Sequence, residues 1–140
     1  MIIFGGFVKG TMTNKVIKYF FNDKKWEEVK VTGEQPCPRV GHSTVVHGAT
    51  LIVFGGRDED NNKLNDMWEL NISAGSWTEI KPSTDDPLPL PRSGHKTCVF
   101  ENMMFLFGGI FEITKELNDV WAFNLNSKKW ILIFDEPNSP

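Results

Sequence analysis

The chain has 140 residues, of which 40% are hydrophobic, 24% charged and 12% aromatic, and this length fits one ordinary domain. Fifteen basic against 18 acidic side chains give a net charge of -3, which excludes a broad basic surface for nucleic acid. The longest apolar run has nine residues, too few to span a bilayer, and the first residues, MIIFGGFVKG, do not form a secretory signal. We therefore expect a cytoplasmic chain that binds neither nucleic acid nor a membrane.

An internal repeat is marked by three glycine pairs, each of which follows a short apolar segment. Successive pairs are 50 and 53 residues apart. Glycine accepts positive φ and lets another backbone approach closely, so we expect a sharp exit from a strand at each pair. The pairs are Gly5 with Gly6, Gly55 with Gly56, and Gly108 with Gly109.

Two longer motifs recur with the same spacing. PRVGH at Pro38–His42 returns 53 residues later as PRSGH, and LNDMW at Leu64–Trp68 returns as LNDVW. A further Trp follows nine residues after the Trp of each of these motifs, whereas the first copy has Ile17 where the other two have Trp68 and Trp121. The repeated aromatic residues are Trp26, Trp68, Trp77, Trp121 and Trp130.

Each complete repeat contains four short apolar segments separated by Gly, Pro, Asn and Asp, which predicts four strands, named a to d in chain order. In the second repeat they lie near residues 42–47, 51–54, 66–71 and 76–80, and in the third near 95–100, 104–107, 119–124 and 129–133. A unit of about 50 residues with four strands has the size of one kelch propeller blade. The fold class is therefore all-β.

The chain resembles the kelch-repeat proteins in its glycine pairs, its PR-x-GH motif and its spaced aromatic residues. The resemblance implies four-stranded antiparallel blades of a β-propeller. It divides the chain into residues 1–33 (partial blade 1, strands b to d), 34–86 (blade 2), 87–134 (blade 3) and 135–140 (a tail or the start of a further repeat).

A propeller closes with about four to eight blades, so this chain predicts an incomplete ring. The favoured expectation is a piece of a longer propeller. The rival is a self-associating half-propeller, in which two copies make a homodimer of six blades.

The b–c and d–a connections are predicted to lie at one end of the blades, where loops present side chains to a protein partner. Arg39 and Arg92 precede strand a, which in the kelch family is the innermost strand. We expect them either at the mouth of a central channel, bound to a carboxylate, or hydrogen-bonded to a neighbouring blade. The candidate contacts are Arg39, Arg57, Asp58, Glu59, Asp60, Lys63, Asp85, Asp86, Arg92, Phe111, Glu112 and Lys115.

No catalytic constellation, metal site or cofactor is predicted. His42 and His95 recur at one repeat position, which favours a blade-building role over metal binding or acid–base chemistry. Cys98 aligns with Val45 and is predicted to be buried. The chain is therefore expected to be a non-enzymatic protein-interaction module of scaffold or adaptor type. The alternative is that the chain is part of a kelch-like enzyme, either a metal oxidase or a specifier protein. This alternative is disfavoured because the sequence contains no metal or catalytic constellation.

Overall fold

The computed structural model describes residues 1–82, 87–113 and 115–135, and these residues form an all-β structure. Blade 1 contains β1 (Ile2–Phe4), β4 (Val16–Phe20) and β5 (Lys25–Glu28), with a small hairpin of β2 (Phe7–Val8) and β3 (Thr11–Met12). Blade 2 contains β6 (Ser43–His47), β7 (Thr50–Arg57), β8 (Lys63–Asn71) and β9 (Ser76–Ile80). Blade 3 contains β10 (Lys96–Phe100), β11 (Met103–Ile110), β12 (Glu116–Asn124) and β13 (Lys129–Phe134).

Blades 2 and 3 are four-stranded antiparallel sheets in which consecutive strands pair, and blade 1 is three-stranded in the order β1-β4-β5. Asp85, Asp86 and residues 136–140 lie outside the described residues. Within the described part of the chain, no helix is long and apolar enough to cross a membrane. The predicted all-β fold class with four-stranded blades is confirmed.

The blades stack through apolar side chains, as the burial of residues in the central strands shows. In β7, Leu51, Ile52, Val53 and Phe54 are all buried, because blade 1 covers one face of the strand and blade 3 covers the other. In β11 burial alternates instead, and Phe107 is 56% exposed, because only blade 2 lies against blade 3 among the described residues. The core is therefore a series of interfaces between sheets.

The tryptophans of the outer strands fill these interfaces. Trp77 of β9 packs against Phe4 of blade 1 with ring centroids 5.1 Å apart, and Trp130 of β13 packs against Phe54 of blade 2 at 5.2 Å. Trp26, the corresponding residue of blade 1, is 54% exposed. Trp77 and Trp130 therefore face the blade that precedes their own.

Two of the glycine pairs lie inside strand b, which corrects the expectation that the pairs follow it. Gly55 and Gly56 belong to β7, where the register with β8 shifts between Phe54 and Gly56, and both have positive φ. Gly108 and Gly109 occupy the same irregularity in β11. A bulge lets the strand continue past the pair, so strands b and c are longer, and the loops between them shorter, than the sequence pattern suggested.

Gly75 is the glycine whose side-chain space is most restricted. A Cβ at this position would overlap the backbone oxygen of Lys30, where the segment after β5 reaches blade 2. The equivalent residues in the c–d turns of blades 1 and 3, Lys24 and Lys128, also have positive φ but carry side chains. Contact with blade 1, rather than the turn itself, therefore requires glycine here.

We expect Gly75→Ala to lower the free energy of unfolding by about 2 to 4 kcal/mol, from the clash together with strain at positive φ. Gly48→Ala is the matched control, because Gly48 also has positive φ but no atom lies within 4 Å of its added Cβ. The control should cost only about 1 kcal/mol. Equal losses for both variants in chemical denaturation would contradict a role for the contact with Lys30.

Candidate functional site

The b–c and d–a connections lie together at one end of the blades. The amide of Asn14 donates to the Pro36 carbonyl (3.0 Å), and the amide of Asn65 donates to the Pro89 carbonyl (3.2 Å). At the opposite end, the Ile72 N–H donates to the Ala49 carbonyl and so joins the c–d and a–b turns. We call the end formed by the b–c and d–a connections the loop face.

A buried arginine lies beneath the loop face in blade 2. Arg39 is 1% exposed and makes a bidentate ion pair with Asp66, with nitrogen-to-oxygen distances of 2.6 and 2.8 Å. The Asp66 carboxylate also accepts from the indole N–H of Trp68. The remaining guanidinium donors bind the carbonyls of Cys37 and Gly55 and the Cys37 sulfur.

Blade 3 repeats this arrangement. Arg92 is fully buried and pairs with Asp119 at 2.6 and 2.8 Å, and Asp119 accepts from Trp121 at 2.7 Å. Burial alone would raise the pKa of Asp119, but the hydrogen bonds from Arg92 and Trp121 outweigh it and hold that pKa below its usual value. The carboxylate therefore remains charged beside its guanidinium.

These contacts correct the prediction that Arg39 and Arg92 face a partner. Both side chains are buried, and their bidentate carboxylates belong to strand c of their own blade, not to a ligand or a neighbouring blade. The sequence did contain a signal for this pairing, because Asp66 and Asp119 follow the arginines by the same 27 residues in both repeats.

The histidines lie at the interfaces between blades. The His42 Nε2 donates to the Phe4 carbonyl of blade 1 (2.9 Å), and the His95 Nε2 is 2.9 Å from Ser43 Oγ of blade 2. The glycine pairs make room for the rings, since a Cβ on Gly5 would lie 2.8 Å from His42 and one on Gly55 would lie 3.0 Å from His95. This agrees with the blade-building role expected for both residues.

Their surroundings favour the neutral imidazole. Burial, followed by the positive charge of Arg92, lowers the pKa of His95 to about 4, and burial lowers the pKa of His42. The Nδ1 atoms of both rings are buried with no hydrogen-bond partner among the described residues. A proton added at Nδ1 would therefore lack an acceptor.

The b–c loop of blade 2 contains five of the twelve predicted contact residues. Glu59 and Asp60 are exposed at its tip, whereas Arg57 and Lys63 are half-buried at the strand ends, paired with each other across the sheet. Asp58 accepts from both the backbone and the side-chain N–H groups of Asn62, and the side-chain bond in particular lowers the pKa of Asp58. Asp58 therefore shapes the loop, and the residues at its tip are the accessible ones.

The b–c loop of blade 3 is more apolar. Lys115 lies over the ring of Phe111 at 5.5 Å, Glu112 is exposed, and Ile113 beside it is 95% exposed. Sequence reasoning did not select Ile113. The available signal was an isoleucine in a b–c loop whose counterpart in blade 2 has only charged and polar residues at its tip. Other exposed apolar residues of the loop face are Phe7, Val8, Leu88, Leu90 and Ile110.

Two clefts are lined by equivalent residues of blades 1 and 2. One measures about 270 Å³, lies between blades 2 and 3, and is lined by Asn65, Ile80, Leu88 and Trp130. The other measures about 530 Å³ and is lined by Asn14 and Val29 of blade 1 and by the segment that follows β5. The shared part of the lining is therefore a feature of the repeat.

Neither cysteine forms a disulfide. Cys98 is exposed, which contradicts its predicted burial, because its face of blade 3 is uncovered by any other described residues. Cys37, in the d–a connection before blade 2, is also exposed. Among the described residues, no group of three or more His, Cys, Asp or Glu side chains is arranged to hold a metal ion.

Stacked antiparallel sheets joined by repeated aromatic, glycine and histidine contacts define the class of β-propeller blades. The family model for the KLHDC2/KLHL20/DRC7 Kelch-repeats domain matches residues 1–140. The chain belongs to the kelch-repeat family, whose domains typically act as protein-interaction modules.

Several relatives share most of this chain. The leucine-zipper-like transcriptional regulator 1 homolog of Drosophila melanogaster is 36% identical over 134 residues, covering 91% of the chain and 13% of that protein. The Rho GTPase-activating protein gacHH of Dictyostelium discoideum is 33% identical over 135 residues, covering 93% and 9%. Kelch domain-containing protein 2 of Bos taurus is 34% identical over 115 residues, covering 81% and 27%. The chain thus spans about a quarter or less of the length of these relatives.

We expect Asp119→Asn to destabilise the chain by about 3 to 5 kcal/mol, because it leaves the buried Arg92 guanidinium without its counter-charge. The control is Glu28→Gln, which removes the exposed ion pair with Lys15 and should cost less than about 1 kcal/mol. Denaturant unfolding of both variants measures the difference. Similar losses would show that the buried pair has no special role.

We expect stability to fall as the pH is lowered from about 6.5 to about 4, in part through His95. The unfolded chain binds a proton in this window and the folded chain does not, so acid favours unfolding, by roughly 3 kcal/mol for the full shift. His95→Gln should flatten this part of a plot of unfolding free energy against pH. A variant with the parent's slope would exclude His95 as the source.

Proposed function

We propose that the chain is a non-enzymatic module whose loop face binds a protein partner, as part of a scaffold or adaptor in the cytoplasm. The observation that carries the proposal is the exposure of apolar side chains on the loop face, above all Ile113 at 95%, with Phe7 at 64% and Val8 at 55% in the hairpin of blade 1. Apolar side chains at loop tips, flanked by charged residues, are typical of binding surfaces.

The distribution of polar groups supports the same assignment. The recurring arginines and histidines form hydrogen bonds within or between blades, so they belong to the scaffold. The charged residues that differ between blades, Glu59 and Asp60 in one loop and Glu112 in another, are exposed on the loop face. A repeated framework with varied, exposed loops is the usual division between fold and recognition.

The composition of the face indicates the chemistry of the contact. Apolar tips in the loops of blades 1 and 3 flank the acidic tip formed by Glu59 and Asp60 in blade 2. Such a surface suits a partner that buries apolar side chains in the centre of the contact and leaves charged groups at its rim. The enzyme alternative gains no supporting observation from the described residues.

The test is a photo-crosslinking amino acid placed at Ile113 in the full chain, expressed in the cells that make it, followed by mass spectrometry of the adducts. We expect a protein adduct from this position. The matched control carries the same amino acid at Ser73, an exposed residue in the c–d turn at the opposite end. An adduct of equal yield from Ser73, or none from Ile113, would contradict the proposal.

Any partner identified in this way should then be purified and titrated against Ile113→Asp. Placing a charge at the centre of an apolar contact should weaken binding by at least about tenfold. Lys24→Ala, far from the loop face in a c–d turn, should bind like the parent.

A further inference from the structure

The outermost strand of blade 3 differs from those of the other two blades. Each of β5, β9 and β13 lies at the outer edge of its sheet and pairs with one strand among the described residues. At its first residue, Ser76, β9 also forms an isolated bridge with Thr32. An edge strand presents backbone N–H and C=O groups that another strand can bind, and proteins usually protect such edges with charged side chains. The side chains along these three edges therefore show which of them is protected.

Two repeat positions carry the difference. They are Glu27 and Glu28 in blade 1, Thr78 and Glu79 in blade 2, and Ile131 and Leu132 in blade 3. The strand registers establish the correspondence, because Thr78 pairs with Glu69 as Ile131 pairs with Ala122, and Glu79 pairs with Trp68 as Leu132 pairs with Trp121. Blade 3 has thus replaced polar or charged edge residues with branched apolar ones.

The exposure of these side chains does not result from a missing neighbour. Blade 2 has a blade on each side, and Thr78 and Glu79 are nevertheless exposed. Ile131 and Leu132, at the same positions, are 45% and 43% exposed. Ile133 and Phe134 are also exposed, but they lie beyond a register shift with β12, so their exposure has no direct equivalent in blade 2.

We propose that β13 is a self-association edge, which pairs antiparallel with β13 of a second copy of this chain across a two-fold axis. Such pairing would cover Ile131 and Leu132 with the same residues of the partner and join two four-stranded sheets into one of eight strands.

The charges at the ends of the strand favour this occupant. β13 begins at Lys129 and is followed by Asp135, with only uncharged residues between them. Antiparallel pairing of two copies brings the basic end of each strand to the acidic end of the other, whereas parallel pairing would bring like charges together. The edges of blades 1 and 2 instead carry Glu27, Glu28 and Glu79, and two of these glutamates pair within the chain, Glu28 with Lys15 and Glu79 with Lys81.

The interface is distinct from the loop face, so the proposal neither requires nor predicts the partner of the proposed function. It also differs from a head-to-tail ring, which would use Trp26 and Phe107 on the open faces of blades 1 and 3. A pairing limited to one short edge buries little surface, and we therefore expect a dimer that forms with increasing concentration.

The test is light scattering of the full chain over a concentration series. We expect the apparent mass to double, and the double variant Ile131→Thr with Leu132→Glu, which copies blade 2, to remain monomeric with an unchanged circular dichroism spectrum. Phe107→Ser should still dimerise. A parent chain that stays monomeric, or a dimer lost in Phe107→Ser but kept in the double variant, would overturn the proposal.

Disulfide trapping provides a second readout that does not depend on the stability of the double variant. Leu132→Cys, in a chain with Cys37→Ser and Cys98→Ser, should form a covalent dimer on mild oxidation, because residue 132 lies near the proposed two-fold axis. Glu79→Cys in the same background is the matched control on blade 2 and should remain monomeric. Equal trapping of both variants, or trapping of the control alone, would refute the assignment of β13.

Discussion

The buried ion pair between the arginine before strand a and the aspartate of strand c is the constraint on which each complete blade depends. A guanidinium out of water is tolerated only when its donors are satisfied, and all five N–H groups of Arg39 have acceptors. Those acceptors lie on three segments of one blade: the approach to strand a, the bulge in strand b, and strand c. The pair therefore sets the relative positions of these segments, a role that an apolar residue of similar volume would not fill.

The same arginines also join one blade to the next. The backbone carbonyl of Arg39 accepts from Gly6 of blade 1 at 2.9 Å, and that of Arg92 accepts from Gly56 of blade 2 at 2.8 Å. The histidine three residues later packs over the first glycine of the preceding pair, and a tryptophan covers the adjacent phenylalanine. Each interface is thus a repeat of the one before, and stability is distributed over nearest neighbours along the stack.

The sequence predicted the blades well because their marks are local and repeat at nearly constant spacing. It did not predict the burial of Arg39 and Arg92, because a PR-x-GH motif does not reveal what lies around the guanidinium. The first repeat contained a signal that the arginine pairs with the aspartate of strand c. It has no PR-x-GH arginine, and Lys15 and Ile17 stand in place of the aspartate and tryptophan of the other blades. The strand bounds were also wrong near the glycine pairs, because a bulge continues a strand through residues that usually end one.

The exposed side chains were the least predictable part of the candidate surfaces. Whether Ile113 or Leu132 is buried depends on which segment of the protein packs over it. That packing is set by contacts between residues far apart in the sequence. Comparison of equivalent positions in the three repeats partly overcomes this difficulty. A position that is polar in two blades is expected to be solvent-exposed in the third. Arg57 and Lys63 show the reverse case, in which charged residues expected on a loop lie half-buried at strand ends.

The side chain and the backbone carbonyl of each arginine make different contacts, and this difference has a consequence for how the chain folds. The guanidinium makes its contacts within one blade, for example between Arg39 and Asp66, which are 27 residues apart. The backbone carbonyl instead binds the preceding blade, which is synthesised earlier. Short sequence separations close quickly, and the N-terminal part of a chain leaves the ribosome first. Each blade is therefore suited to fold during synthesis and to dock onto its predecessor as it emerges, so the stack grows in the direction of translation.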